Sequence, residues 1–162
     1  MSLTNTKHTL VALVEDKPGV LNRVASLFRR RAFNIESIAV GRSEQPGLSR
    51  MTVVVDGNSA RVEQVRKQLD KLINVVRVSD ITAEDIVTRE LALIKVNATT
   101  VTRSEIMQIV DIFRANIVDV ASNSLTVEVT GDEDKVESML ELLRSFGVKE
   151  ISKTGRIALT RG

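Results

Sequence analysis

Asp16-Lys17-Pro18-Gly19 separates an apolar run (Thr9 to Val14) from residues spaced like a helix face (Val20, Leu21, Val24, Leu27, Phe28). A Pro-Gly corner between a strand and a helix leaves the first helical N–H groups without internal acceptors. Those donors, with the positive end of the helix dipole, attract a carboxylate or a phosphate. Asp16 precedes the corner and has the charge to hold a cationic group on the same ligand. An acid and an amine on one small molecule describe an amino acid. The same spacing also suits an ordinary strand-to-helix turn, since Pro and Gly are common turn residues.

The elements that must position this loop follow from periodicity. His8–Val14 alternates as a strand, Val20–Arg31 has helical spacing, and Asn34–Gly41 alternates again. Ser43-Glu44-Gln45-Pro46-Gly47 is turn chemistry, so Leu48–Val55 pairs back as a hairpin. Ser59 reads as the N-cap of a helix over 60–71, and Val75–Val78 as a closing strand. The order β-α-β-β-α-β is the ferredoxin-like split arrangement.

The second half repeats it. Glu90–Ala98 reads as a strand and Ser104–Arg114 as a helix, and Ile117–Ala121 with Ser124–Thr130 as a hairpin. A helix over 132–146, a strand over 148–151 and an optional one over 156–160 follow, and the polar segment Ser79–Arg89 reads as the connection. The expected fold is therefore α+β, two tandem βαββαβ domains over 1–80 and 81–162. Such a sheet carries helices on one face only. Apolar Ile35, Ile38, Val40 and 52–55 then need cover, which predicts at least a homodimer.

Composition narrows the function classes. There is no Cys and one His, His8, which leaves no disulfide, thiolate nucleophile or His-based metal cluster. Four Phe without Trp or Tyr provide no base-stacking platform, so nucleic acid is not an expected partner. No apolar run reaches bilayer length and no signal peptide is visible, so the expected setting is cytoplasmic, with no membrane partner. Residues 1–80 hold 13 Lys+Arg against 8 Asp+Glu (+5), and 81–162 hold 10 against 13 (−3). The sign change points to two units with separate surfaces.

The run His8 to Val24 resembles the start of an ACT domain, a small-molecule-sensing βαββαβ module. Phe33-Asn34-Ile35-Glu36-Ser37-Ile38 followed by Leu48-Ser49-Arg50-Met51-Thr52 is similar to the small, regulatory subunit of acetolactate synthase (acetohydroxyacid synthase). The pattern Gln68-Leu69, Lys71-Leu72, Val75, Val78 and the closing Thr154-Gly155-Arg156-Ile157-Ala158-Leu159 with Arg161-Gly162 fit the same family.

That resemblance implies a non-catalytic subunit in branched-chain amino acid biosynthesis. It would activate a large catalytic subunit and confer feedback inhibition by a branched-chain amino acid, usually valine. This chain would hold no cofactor; thiamine diphosphate, Mg and FAD would sit on the partner. The effector site would lie between two ACT domains of a dimer. Asp16, Gly19, Val20 and Leu21 would come from one copy, Asn34 and Ile35 from the other. Backbone N–H groups at Gly19, Val20 and Leu21 would hold the carboxylate, Asp16 and Asn34 the ammonium group, and Ile35 the apolar side chain. Many relatives carry Asn where this chain has Asp16.

The rival readings are a stand-alone ACT protein controlling transcription or another enzyme, and an enzyme in its own right. The first would require an attached helix-turn-helix or catalytic domain, which is not seen in the sequence. The second would require clustered catalytic groups. Arg29-Arg30-Arg31 reads as a solvated helix end, where cations are favoured. His8 reads as a strand residue without a chemical role. In the second half, Thr99, Thr100, Thr102 and Arg103 occupy the equivalent loop without a Pro-Gly corner or an acid, so that half reads as a dimerising or docking domain.

Overall fold

The structure is a computed structural model that describes residues 6–162. It divides into two compact units, residues 6–87 with 156–162, and residues 88–155. Each is a ferredoxin-like βαββαβ fold. In the first, β1 (Thr6–Glu15), α1 (Val20–Arg30), β2 (Asn34–Arg42), β3 (Leu48–Gly57), α2 (Ser59–Asp70) and β4 (Val75–Asp80) form an antiparallel sheet in the order β2-β3-β1-β4.

Of the helix face read from the sequence, Val20, Val24, Leu27 and Phe28 are buried, whereas Leu21 is exposed. Val20, Val24, Leu27 and Phe28 of α1 pack with Val62, Val65 and Leu69 of α2 on Leu10, Ala12, Val14, Met51, Val53 and Val55. Inward residues alternate along β1 and β3, and their paired register places Ala12 opposite Met51 and Leu10 opposite Val53. Two bulges, after Leu13 and after Ile35, shift the pairing with β4 and β3 respectively.

Three expectations are corrected here. The N-cap of α2 is Asn58, not Ser59: its Oδ1 accepts the Arg61 N–H at 2.9 Å. The segment Ser79–Arg89 is not all connection, because β4 runs to Asp80 and β5 begins at Ile86. Asp80 earns its place in the sheet through distant partners. Its carboxylate accepts from the Thr82 N–H at 3.0 Å and meets His8 Nδ1 at 2.8 Å, while the Thr82 hydroxyl also donates to it.

The third correction concerns the second face of this sheet, expected to lie open. Thr9, Val11, Leu13, Thr52 and Val54 are all buried in the single chain. Val11 packs with Ile81, Ile86 and Ala158. The Arg156 guanidinium donates to the Thr9 hydroxyl at 3.0 Å, and Arg50 donates to the Ala158 carbonyl at 2.9 Å. The C-terminal strand β9 (Ile157–Thr160) thus belongs to the first unit, whereas the sequence reading divided the chain once, at 80/81. An open sheet face therefore gives no reason for a dimer.

β5 (Ile86–Asn97) begins in the first unit and from Thr88 on belongs to the second, where with α3 (Arg103–Ile112), β6 (Asn116–Val120), β7 (Ser124–Gly131), α4 (Glu133–Arg144) and β8 (Val148–Lys153) the sheet order is β6-β7-β5-β8. Ile106 and Val110 of α3 and Val136, Met139 and Leu143 of α4 bury Ile94, Val96, Leu125 and Val127.

The His8–Asp80–Thr82 cluster generates a stability prediction. Burial opposes ionisation of Asp80, but the hydrogen bonds from Thr82 and then His8 outweigh it and hold the carboxyl below the usual aspartate range. A lowered folded-state pKa contributes stability above the unfolded value of about 3.9, lost as pH falls through the folded value. Asp80→Asn is expected to cost about 1–2 kcal/mol at pH 7 in urea unfolding and to flatten the acid limb of the stability profile.

Candidate functional site

The loop from β1 to α1 is held from both sides. The Glu15 N–H donates to the Asn74 carbonyl at 2.8 Å and the Asp16 N–H to the Gly47 carbonyl at 2.9 Å. The Glu15 carboxylate accepts from Asn74 Nδ2 at 2.8 Å and pairs with Lys17 Nζ at 3.0 Å. The Asn74 hydrogen bond, then Lys17, holds its pKa below the ordinary glutamate value. Arg23 donates to the Asn74 Oδ1, so Asn74 ties the loop to the first turn of α1.

Gly19 is the N-cap of α1, with φ +85°, and it offers no side chain to the helix. The first turn contains no acid either. Val20 donates to the Lys17 carbonyl only at 3.4 Å, a long contact. Among the described residues no acceptor takes the N–H of Gly19 or Leu21. Nothing lies within 4 Å of where a Gly19 Cβ would stand, so the approach is open. The other helices are finished differently. Asn58 caps α2 and Asp132 caps α4, whose first turn adds Glu133 and Asp134. On α3, Glu105 lies in the first turn, and Thr99 and Thr102 exchange hydrogen bonds (2.8 and 3.2 Å) that take up both their N–H groups.

The six expected site residues separate into two groups. Asp16, Gly19, Val20 and Leu21 gather at one end of the sheet. Val20 is 3% exposed in the core and brings only backbone, while the Leu21 side chain faces solvent. Asn34 is exposed and Ile35 is half-buried against the core. Asn34 lies opposite Asp56, which faces Lys7, whereas Glu15 faces Leu48. Eight steps along β1 separate those positions, about 26 Å. One chain does not bring the two groups together.

Arg42 is a neighbour of the Asp16 loop that the sequence reading did not single out. At the end of β2 its Nε lies 3.7 Å from Asp16 Oδ2, both side chains largely in water. Hairpin pairing would have revealed it, since Arg42 faces Ser49, which faces Val14 just before the loop. No helix among the described residues is long and apolar enough to cross a membrane.

Comparison with known proteins now bears on this geometry. The family model of the acetohydroxyacid synthase small subunit-like ACT domain matches residues 10–77, and that of the small subunit of acetolactate synthase matches residues 89–162. The chain is 57% identical over 156 residues to a probable acetolactate synthase small subunit of Archaeoglobus fulgidus, covering 96% of this chain and 98% of that one. This chain belongs to the acetolactate synthase small-subunit family. It is also 51% identical over 162 residues to the small subunit of Mycolicibacterium smegmatis, covering 100% of this chain and 95% of that protein. The crystal structure of the small subunit from Thermotoga maritima superposes with a TM-score of 0.89 at 45% identity, covering 97% of this chain and 98% of that one. Membership supports a regulatory role and implies a large catalytic subunit as partner. Within this small-subunit fold, the uncapped helix start is in the ACT domain.

The left-handed Gly19 yields a direct test. Gly19→Ala meets no neighbour, so its cost is the backbone penalty, about 1–2 kcal/mol. Gly41→Ala, also in open space but without a positive φ, is expected to change stability by less than about 0.5 kcal/mol in thermal melts.

Proposed function

We propose that this chain is a non-catalytic subunit that activates its acetolactate synthase large subunit and makes it sensitive to valine. The setting is the cytoplasm, in branched-chain amino acid biosynthesis. Thiamine diphosphate, Mg and FAD serve the large subunit, and this chain binds none of them.

The observation that carries the reading is the uncapped start of α1, about 26 Å along the sheet from Asn34. β2 is an edge strand of its sheet. If two copies pair antiparallel through β2, Asn34 of one copy lies opposite Arg42 of the other. Arg42 is the residue beside Asp16, so the two halves of the site then meet at each end of the paired edge. A homodimer thus has a chemical reason as well as an edge to pair. The effector carboxylate takes the N–H groups of Gly19, Val20 and Leu21, and the macrodipole of α1 adds to the attraction. Asp16 of one copy and Asn34 of the other accept from the ammonium group. Ile35 supplies part of the apolar wall.

Inhibition follows if valine favours a dimer arrangement that supports the large subunit less well. The coupling between valine and the partner is then reciprocal in free energy.

Asn34→Ala removes a hydrogen bond to a charged group, about 1.5–3 kcal/mol, or roughly 10- to 100-fold in affinity. It is expected to raise the half-inhibitory valine concentration by that factor while activation of the large subunit is retained. Gly19→Asp, which sets a carboxylate against the ligand's own, is expected to abolish inhibition. Calorimetric titration with valine, leucine and alanine checks the site directly. Unchanged valine binding in both variants, with activation lost, would refute the assignment.

A further inference from the structure

At the far end of α1, Arg29 and Arg30 close the last turn and Arg31 follows, in contact with Arg61 of α2. Elsewhere Lys7, Arg66, Lys95, Arg144 and Lys153 each pair with a carboxylate, while Arg23, Arg50 and Arg103 stand singly and donate to neutral oxygens. Among the described residues, no carboxylate lies within ion-pair distance of these four arginines. Their partners are neutral. Arg29 donates to the Ser26 hydroxyl at 3.0 Å and Arg31 to the Gln68 carbonyl oxygen at 3.2 Å. Arg61 donates to the Arg31 main-chain carbonyl at 2.7 Å and lies 4.9 Å over the Phe33 ring. Both guanidinium groups are therefore oriented without being neutralised.

A helix C-terminus accounts for Arg29 and Arg30, since the dipole favours cations there. It does not account for the hollow of about 60 Å³ lined by Arg31, Phe33, Arg61, Gln64 and Val65, which contains no acid. About 10–15 Å³ of such space suffices for one water, so the hollow accommodates one carboxylate head. The cationic surface continues over Arg29 and Arg30, beyond the reach of a small anion. A nucleic-acid surface would call for exposed aromatic rings, and the chain has only four Phe.

We propose that this arginine face docks an acidic surface of the large catalytic subunit, with an Asp or Glu side chain of that partner seated between Arg31 and Arg61. This rests on the reading of the chain as a subunit that binds and activates the large subunit. Its position also links docking to the effector. Arg31 lies three residues before Asn34, and the turn between them holds Ala32 at φ +56°. Phe33 in that turn meets Phe28 edge-on, with ring centroids 6.2 Å apart. Residues 31–34 are thus one braced segment with the partner at one end and the effector at the other.

The test measures binding of the folded chain to immobilised large subunit from about 50 to about 300 mM NaCl, over which the Debye length shortens about twofold and exposed charges are increasingly screened. Arg31→Gln/Arg61→Gln is expected to raise Kd tenfold or more at low salt and to flatten its salt dependence. Arg29→Gln/Arg30→Gln, which breaks no link between the helices, is expected to raise it threefold or more. Arg144→Gln on α4 serves as the control and stays within twofold of wild type. Circular dichroism checks folding, and if the first variant unfolds, the second decides. Wild-type Kd and salt slope in both double variants would overturn the docking face. Failure of the wild-type chain to bind the large subunit at any salt would instead overturn the reading beneath it.

Discussion

The antiparallel register of β2, β3 and β1 is the constraint on which the site depends. It places the end of β1, with Asp16 and the start of α1, beside the end of β2, and it places Asn34 at the opposite end. Because side chains alternate along strands, a one-residue slip would turn Leu10, Ala12 and Val14 away from the helices and expose them. The buried core thus fixes the register, and the register fixes which groups can share a ligand. Packing and site geometry are one problem in this unit.

The second dependence is electrostatic. A helix start in a protein is normally satisfied by a cap or by nearby acids. Asn58 and Asp132 do this for α2 and α4, and Glu105 contributes at α3. On α1 neither device is present, and Gly19 adopts a conformation that most side chains resist. α3 likewise lacks a side-chain cap bond but keeps an acid in its first turn, so α1 is the one of the four described helices with neither. The loop around it is nonetheless firmly held, by Gly47, Asn74 and Lys17, so the bare N–H groups are fixed in direction. A site with rigid donors loses little ordering entropy on binding.

Most elements were legible because their signals are local. The three-and-four spacing of Val20, Val24, Leu27 and Phe28 and the Pro-Gly corner need no knowledge of distant residues. The errors came from contacts across the chain. Ser79–Arg89 is polar in composition, yet Asp80 enters a strand because His8, 72 positions earlier, meets its carboxylate. The cover over Val11 comes from Ala158, and no period within a window of ten residues reports that. Ser59 and Asn58 are both good caps by type; only the carboxamide's contact with Arg61 distinguishes them. For the site, the loop was visible as a motif, whereas Arg42 requires two pairings to be traced across the sheet.

Asp16 is the residue whose charge needs physical justification, and Arg42 supplies part of it. A carboxylate buried without a partner would oppose ligand entry through its desolvation cost. Here the Asp16 side chain remains 49% exposed, and Arg42 stands 3.7 Å away with 90% of its own side chain in water. Exposed pairs of this kind are worth about 0–1 kcal/mol, so a ligand ammonium that displaces Arg42 forfeits little. On the proposed reading it would gain a charge-assisted hydrogen bond to the same carboxylate, and Arg42 would return to solvent with its charge hydrated. An Asn at this position would have offered a neutral acceptor with no competing cation. If Asp16 takes the effector's ammonium as proposed, the Asp–Arg pair would exchange a little competition in the empty state for a stronger acceptor in the occupied one, and the balance would favour the ligand wherever Asp16 keeps its contact with water until the ammonium arrives.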